Sequence, residues 1–332
     1  MNTQRLLVTG GSGFLGAALT RRLVQDGHSV RVLDNHSRGA MRRLADVKDE
    51  IEVREGDIRD AAFVSDCLKG MDGVFHLAYI NGTKFFYSKP EQVLDIAVKG
   101  MINVLDGCRT HNVGTVLYAS SSEVYQTPPA VPTDEKAPLS VPDPLNPRYS
   151  YGGGKILGEL MALNYGRTGF ERMVVFRPHN VYGPDMGWEH VVPEFSLRLH
   201  ALKKKSSGDG VQPFPIQGSG RETRAFCHVD DFTDGLMRLF KTGAHREIYH
   251  IGVDQETSID TLAMEMSKIS GINITIQPGK IAAGATNRRC PDIKKLRSLG
   301  FVPKISLEQG LIDTMGWYAA NAHLAEDTNQ PR

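Results

Sequence analysis

The sequence predicts an α/β fold: a doubly wound parallel sheet over the first half of the chain, followed by a smaller α/β domain. Two observations carry this. From the N-terminus to Pro178, short β-branched runs alternate with amphipathic stretches, and such alternation buries its apolar faces as a parallel sheet with helices on both sides. Between the first run and the first amphipathic stretch lies TGGSGFLG, residues 9–16, rich in glycine at the place where a strand turns directly into a helix. After Pro178 the alternation loosens into Gly/Pro-rich loops and shorter elements, which reads as a second domain.

In order, RLLVTG is the first strand, Phe14 to Gln25 the first helix, and SVRVLD, IEVREGD and GVFHLA the next three strands. A long helix runs near Glu91 to Arg109, TVLYAS is the fifth strand, a helix spans Ser150 to Tyr165, and RMVVFRP is the sixth strand. Residues 1–178 therefore form the first domain and 179–322 the second, with the chain crossing back to the first near 225–252. Further helices are expected near Asp230 to Lys241, Ile259 to Ile269 and Ser306 to Ala320. The triple lysine Lys203 to Lys205 reads as part of a solvated loop, and residues 323–332 read as a disordered tail.

The chain has 332 residues, of which 40% are hydrophobic and 23% charged, an ordinary globular composition. A formal net charge of +1 provides no long-range field to gather nucleic acid or an anionic membrane, so neither is expected as a partner, and any anionic ligand must be held locally. The N-terminus passes straight into the first strand without a charged-then-apolar leader or a run long enough to cross a bilayer, so the expected location is cytoplasmic. Cys67, Cys108, Cys227 and Cys290 are scattered, with no CxxC pair and no His at metal-ligand spacing. They read as reduced structural thiols, and no metal is expected.

The glycines of TGGSGFLG have separate tasks. Gly10 and Gly13 allow a tight turn and close backbone approach to a pyrophosphate, and Gly16 lets helix and strand pack closely. The helix N-terminus then stabilises the phosphate charge with its unbonded N–H groups. Asp34 ends the second strand at the spacing expected of a carboxylate that accepts the adenosine ribose hydroxyls. Together these predict a Rossmann-type dinucleotide site, and the carboxylate, which repels a 2′-phosphate, favours NAD over NADP. Arg38 is the counter-indication, because it would pair with a 2′-phosphate if turned inward. Asp57 and Ile58, in GDI after the third strand, are placed to meet the adenine through a carboxylate for its amine and an apolar side chain for its face.

Chemistry is signalled by two stretches. SSSEVY, residues 120–125, gathers hydroxyls, a carboxylate and a phenol at the end of the fifth strand. In YSYGGGKILGE, Tyr151 and Lys155 are four apart and share one helix face, within reach of the carboxyl edge of the sheet. A phenol with a pKa of about 10 becomes a useful base near neutrality when cations favour its phenolate.

These motifs resemble the extended short-chain dehydrogenase/reductase family, specifically its nucleotide-sugar epimerases, dehydratases and decarboxylases. TGGSGFLG, GDI, HLA, SSSEVY, Tyr151 to Lys155, RPHNVYGP, TRAFCHVDD and RRCPD fall in that family's order. The resemblance implies a nucleotide-diphosphate sugar as substrate, a transient 4-keto sugar, and a homodimer through the helices near Glu91 to Arg109 and Ser150 to Tyr165. It implies that Tyr151 accepts a sugar hydroxyl proton, that Lys155 depresses the pKa of Tyr151 and holds the nicotinamide ribose, and that Ser121 bonds the reacting oxygen. It extends the NAD contacts to Phe14 and Leu15, to Asn35 and Ser37, to Leu77 and Ala78, and to Pro178. Asn180 is implied as a donor to the nucleotide phosphate, and Arg224 and Arg289 as guanidinium clamps on the diphosphate. His76 reads as a packed strand-end residue.

Family frequency makes a 4-epimerase the expected activity. Glu123 keeps a 4,6-dehydratase or a decarboxylase of the UDP-glucuronate type as alternatives, and a non-catalytic NAD-binding sensor as a further one. Removal of a C5 proton needs a base, whereas epimerisation at C4 needs no carboxylate there; a structural role for Glu123 is equally open. The chain departs from the family pattern at Tyr79, Ala97, Met101, Gln126 and the GGG before Lys155. Three helical glycines cost about 1 kcal/mol each against alanine, so close approach of a ligand or a neighbouring backbone is expected there.

Overall fold

The structure, a computed structural model, describes residues 3–205, 210–280 and 286–326. β1 (Arg5–Thr9) leads through the glycine turn into α1 (Phe14–Gln25), then β2 (Ser29–Asp34), β3 (Ile51–Glu55), α2 (Ala61–Leu68) and β4 (Gly73–His76). α3 (Thr83–Ser88) and α4 (Pro90–Asp95) follow, and a wider π-helical turn, Ile96–Gly100, joins α4 to α5 (Met101–Thr110). β5 (Thr115–Ala119) ends in a 3-10 turn, Ser122–Tyr125; a second such turn, Pro147–Tyr149, opens α6 (Ser150–Tyr165), which precedes β6 (Arg172–Pro178). Beyond it come β7 (Val181–Tyr182), α7 (Val191–Lys205), β8 (Gln212–Pro215), β9 (Thr223–Arg224), β10 (Cys227–His228), α8 (Val229–Thr242) and β11 (Glu247–Ile251). The chain closes with β12 (Thr257–Ser258), α9 (Ile259–Ser270), β13 (Ile274–Gln277), β14 (Arg288–Arg289), α10 (Lys294–Arg297), α11 (Leu307–Ala320) and α12 (His323–Glu326).

The main sheet has seven strands in the order β11-β6-β5-β4-β1-β2-β3, all parallel. Its central strands are buried on both faces: Leu6, Val8, Phe75, Leu117, Val174 and Phe176 enter one apolar core, and Leu7, Val74, Val116, Tyr118, Met173 and Val175 enter the other. The alternation follows from the two-residue period of a strand between two helical layers. Strand order reverses between β1 and β4, and in such sheets the loops diverge at that point to open a crevice at the carboxyl edge, where ligands bind. A third core lies beneath α7, α9 and α11, with Leu199, Phe214, Leu262, Met266 and Leu311 at its centre.

Several segments differ from their sequence-based expectation. Lys203 to Lys205 form the last turn of α7, not a loop; the cations stand at the negative end of the helix, where charge favours them. α2 was not anticipated; Asp60 caps it by accepting from the Phe63 N–H at 3.0 Å. Residues 323–326, expected in a disordered tail, form one helical turn, and the rest of that tail, 327–332, lies outside the described residues. Among the described residues no helix is long and apolar enough to cross a membrane.

One polar cluster lies inside this apolar frame. Arg177 on β6 and Glu159 on α6 have side chains only 1% and 2% exposed, and they meet through Nε–Oε1 at 2.8 Å and Nη2–Oε2 at 2.6 Å. Ser120 donates to the same carboxylate, and Arg177 Nη1 reaches the Tyr125 hydroxyl and the Glu135 carbonyl. Tyr125 in turn meets His250 Nε2 at 2.6 Å. The cluster ties α6, β6, β11 and the exit of β5 together at the edge where the crevice opens. Removing one member of a buried pair strands the other charge, so Arg177→Met is expected to cost about 3–5 kcal/mol. In equilibrium urea unfolding the midpoint should fall accordingly, and adding Glu159→Leu should recover part of the loss; an unchanged midpoint for Arg177→Met would contradict this.

Candidate active site

The glycine turn is built for close approach. Gly10 has φ +72°, and its N–H donates to the Leu33 carbonyl at 2.8 Å. A Cβ there would stand 2.7 Å from the Ala78 nitrogen, and one on Gly16 would stand 2.1 Å from the Gly10 carbonyl oxygen. Phe14 and Leu15 then open α1 with their backbone toward the turn. Asp34 accepts the Ser12 N–H at 2.9 Å and the His36 N–H at 2.8 Å, so the carboxylate fastens the turn to the end of β2. Asn35 donates to Asp57 at 3.2 Å and accepts from the Ser37 N–H at 3.1 Å. Leu77 and Ala78 continue from β4, with the Ala78 N–H donating to Thr9 Oγ1 at 3.2 Å. One edge of the sheet thus collects these residues, and its geometry suits a dinucleotide pyrophosphate.

Two of the expected adenine contacts have further commitments. Both oxygens of Asp57 accept from Arg59, at 3.0 and 2.8 Å, and that bonding holds the carboxyl below its ordinary range. Ile58 is buried against Gly100, where a Cβ would meet Ile58 Cδ1 at 2.3 Å. Arg38, the cation that argued for a 2′-phosphate, lies 4.7 Å over the Phe85 ring and 3.7 Å from the Glu189 carboxylate.

The chemical residues converge beyond the cradle. Ser121 precedes the 3-10 turn, and its Oγ accepts the Glu123 N–H at 3.2 Å. Tyr151, in the first turn of α6, is stacked on Phe86 at 4.9 Å and edge-on to Tyr79 at 5.1 Å. Burial pushes its phenol up to about 12, opposed by a hydrogen bond with Ser121 and by the Arg289 charge, and reinforced by Glu123. Lys155, one helical turn on, donates to the Ala119 carbonyl at 2.7 Å. Its Nζ lies 3.9 Å from the Tyr79 ring centre and 5.8 Å from that of Tyr151. Burial brings the ammonium down to about 7 against the opposing charge of Glu159. Ser121 and Arg289 both act to lower the Tyr151 pKa against its burial. His76, packed at the end of β4, meets Thr9 Oγ1 at 2.7 Å.

Glu123 has a partner that no spacing in the sequence announced. Arg289 Nη1 donates to Glu123 Oε1 at 2.6 Å, and its Nη2 donates to Thr286 at 3.0 Å. Burial alone would raise the Glu123 pKa, but Arg289, then Arg148 and Arg224, hold it below its ordinary value. Arg289, expected at a diphosphate, pairs here with Glu123 and also lowers the Tyr151 pKa. Arg224 donates to the Thr223 carbonyl at 2.7 Å, and burial, followed by Arg289, brings its pKa down to about 10. Arg289 Nε, Arg148 Nε and Asn180 Nδ2 are buried with no hydrogen-bond partner among the described residues. Buried donors of this kind are costly unless a ligand accepts from them, and three guanidinium groups around one carboxylate leave positive charge for an anion. Pro178 ends β6 beside this cluster, and Asn180 follows it with φ +40°.

Side chains make the closest approach at two of the three glycines before Lys155, and a Cβ on Gly153 would meet only Val141 Cγ2, at 3.5 Å. A Cβ on Gly152 would stand 2.6 Å from Gln126 Nε2, one on Gly154 2.2 Å from the Tyr79 hydroxyl, and one on Gly158 2.0 Å from the Tyr118 hydroxyl. Gln126 and Tyr79, both departures from the family pattern, occupy the room these glycines leave. All four cysteines are free and buried.

Residues 6–252 match the model of the NAD dependent epimerase/dehydratase family. A UDP-N-acetyl-alpha-D-glucosaminuronate decarboxylase of Bacillus cytotoxicus is 30% identical over 95% of this chain and 98% of its own. A putative UDP-glucose 4-epimerase of Methanocaldococcus jannaschii is also 30% identical, over 95% of this chain and 99% of its own. A crystal structure of a dTDP-glucose 4,6-dehydratase from Streptomyces venezuelae, with NAD and TYD bound, superposes with a TM-score of 0.86 at 29% identity, covering 97% of this chain and 99% of that one. Relatives of similar identity thus bear the names of three different reactions.

Because the Gly10 conformation and its contact with Ala78 exclude a side chain, Gly10→Ala is expected to weaken NAD binding at least tenfold, about 1.4 kcal/mol, in calorimetric titration. Wild-type affinity in that variant would show that the turn does not hold the cofactor.

Proposed function

The chain belongs to the NAD dependent epimerase/dehydratase family, and on that premise we propose that it oxidises C4 of a nucleotide-linked uronic acid and releases C6 as carbon dioxide. It is an NAD-dependent enzyme, as the family's description has it. The observation that carries the finer reading is the Glu123–Arg289 pair beside Ser121 and Tyr151, set among more guanidinium groups than Glu123 neutralises.

Tyr151 takes the proton of the C4 hydroxyl, Ser121 holds the same oxygen, and the Lys155 ammonium favours the phenolate and would hold the nicotinamide ribose. Bound NAD would supply the hydride acceptor at C4 and a positive charge that favours the phenolate. A ketone at C4 makes the C6 carboxylate a β-keto acid. The C5–C6 bond then breaks, its electron pair moves onto O4, and carbon dioxide leaves. The hydroxyls of Ser121 and Tyr151 stabilise the oxyanion at O4, C5 takes up a proton from solvent as the C4 carbonyl re-forms, and C4 would take hydride back from the reduced cofactor while Tyr151 gives back its proton. Arg289, aimed by Glu123, stands with Arg148 to orient the sugar carboxylate through nitrogens that no protein group occupies among the described residues. Asn180 and Arg224 remain for the diphosphate.

Dehydration is less well served. It needs an acid beside the C6 hydroxyl, whereas Glu123 is kept ionised by arginines and Ser122 precedes it. Epimerisation at C4, favoured by family frequency alone, gives the Glu123–Arg289 pair no chemistry. The enzyme should be incubated with a panel of nucleotide uronates and neutral nucleotide sugars in deuterated water, followed by NMR and capture of C6-labelled carbon dioxide. Labelled carbon dioxide with deuterium at C5 is the expected result; Tyr151→Phe should abolish it, and Arg289→Met should slow it about 100-fold. Inverted C4 with C6 retained, or loss of the C6 hydroxyl from a neutral sugar, would replace this reading.

A homodimer through α4 to α6 belongs to the same proposal, since Leu94, Leu157 and Leu160 are 42%, 39% and 54% exposed on helices that pack together. Leu160→Glu should then sediment as a monomer; a monomeric wild type would dismiss the dimer.

A further inference from the structure

We infer that Tyr79 is a positioning residue for Lys155, its ring holding the lysine ammonium charged and aimed along the carboxyl edge of the sheet. The inference rests on the reading that Lys155 serves the oxidation at C4, and it is independent of what then happens at C6.

The geometry is specific. Lys155 Nζ lies 3.9 Å from the centre of the Tyr79 ring, nearer than to the rings of Tyr118, 5.3 Å, or Tyr151, 5.8 Å. A cation over an aromatic face is attracted by the ring's negative quadrupole, and the attraction grows when water is absent. The hydroxyl of Tyr79 is buried with no partner among the described residues, so no hydrogen bond to another described residue holds the ring in place. It projects into the gap between Gly154 on α6 and Ala97 in the π-helical turn, where a Cβ on Gly154 would meet the hydroxyl at 2.2 Å and the Ala97 Cβ at 2.9 Å. Two small residues, one of them a helical glycine, thus make the space that brings the ring over the ammonium.

The other groups around Lys155 do not replace the ring. The Ala119 carbonyl at the end of β5 accepts one hydrogen bond. Glu159, on α6 itself, favours the charged form but is bonded to Arg177 and Ser120. Tyr118 on β5 is buried and neutral, its pKa raised by burial. Tyr151 is likewise raised by burial, and His76 on β4 is brought down to about 3 by burial and by Lys155. Burial disfavours the ammonium, so loss of a neighbouring negative face lowers its pKa further, and the charged fraction is lost at a lower pH.

The test compares Tyr79→Phe, Tyr79→Leu and pentafluorophenylalanine at position 79, which preserves ring size while removing the negative face. The titration of Lys155 is read from the Cε signal of carbon-13-lysine-labelled protein, assigned with Lys155→Met, alongside the pH profile of turnover. Tyr79→Phe should match the wild type in both. Tyr79→Leu and the fluorinated ring should move the Lys155 titration and the alkaline limb of turnover down by about one pH unit, with kcat falling more than KM changes. An unmoved titration with the fluorinated ring, which keeps the packing even if Tyr79→Leu fails to fold, would overturn the inference. Full turnover by Lys155→Met would overturn it together with the role given to Lys155; lost turnover there with an unmoved titration in the Tyr79 variants would overturn the inference alone.

Discussion

A guanidinium and a carboxylate kept out of water between α6 and β6 constrain everything at this edge of the sheet. Arg177 and Glu159 are each expensive to bury, and a buried ion pair is weak evidence of added stability. Their effect here is registration. Glu159 lies on the helix that carries Tyr151 and Lys155, Arg177 lies on the neighbouring strand, and Ser120 brings the exit of β5 to the same carboxylate. A helix sliding or turning on the sheet would break several charge-assisted bonds at once. The Tyr151 phenol and the Ser121 hydroxyl, which we propose act on the substrate, are positioned by elements that have one permitted relation.

The reaction centre adds a second, more exposed electrostatic arrangement. Glu123 and Arg289 bring together the 3-10 turn after β5 and the strand β14, so the pair ties the end of the main sheet to the C-terminal part of the chain. The buried network behind the sheet has its polar atoms largely satisfied within the protein, whereas Arg148, Asn180 and Arg289 in front each keep a donor without a protein partner among the described residues. Satisfied polar groups rigidify; unsatisfied ones invite a ligand. That contrast separates scaffold from site more clearly than burial does.

Much of this was legible in the residues. Strand-helix alternation announced the parallel sheet, TGGSGFLG with Asp34 announced the dinucleotide edge, and the spacing of Tyr151 and Lys155 placed them on one helix face. The Glu123–Arg289 pair was not legible, because its members stand 166 residues apart and no periodicity links them. The GGG was visible as an anomaly, but its cause required the coordinates: Gln126 and Tyr79 occupy the space beside Gly152 and Gly154. Lys203 to Lys205 were misread because a polar run looks alike in a loop and at a helix end, and the apolar pattern of α7 is irregular. The smaller unit was hardest to place in detail, since its strands are mostly two residues long and are set by tertiary pairing rather than by propensity.

The central claim is spatial: the Tyr151 and Ser121 oxygens face one sugar carbon while Arg289, steered by Glu123, faces the substituent on the next. A crystal structure of the Tyr151→Phe enzyme with NAD and a nucleotide uronate measures it most directly. The account predicts Ser121 Oγ within hydrogen-bond distance of O4 and the C6 carboxylate against Arg289. A sugar carboxylate turned to solvent, with Arg289 on the diphosphate, would contradict it.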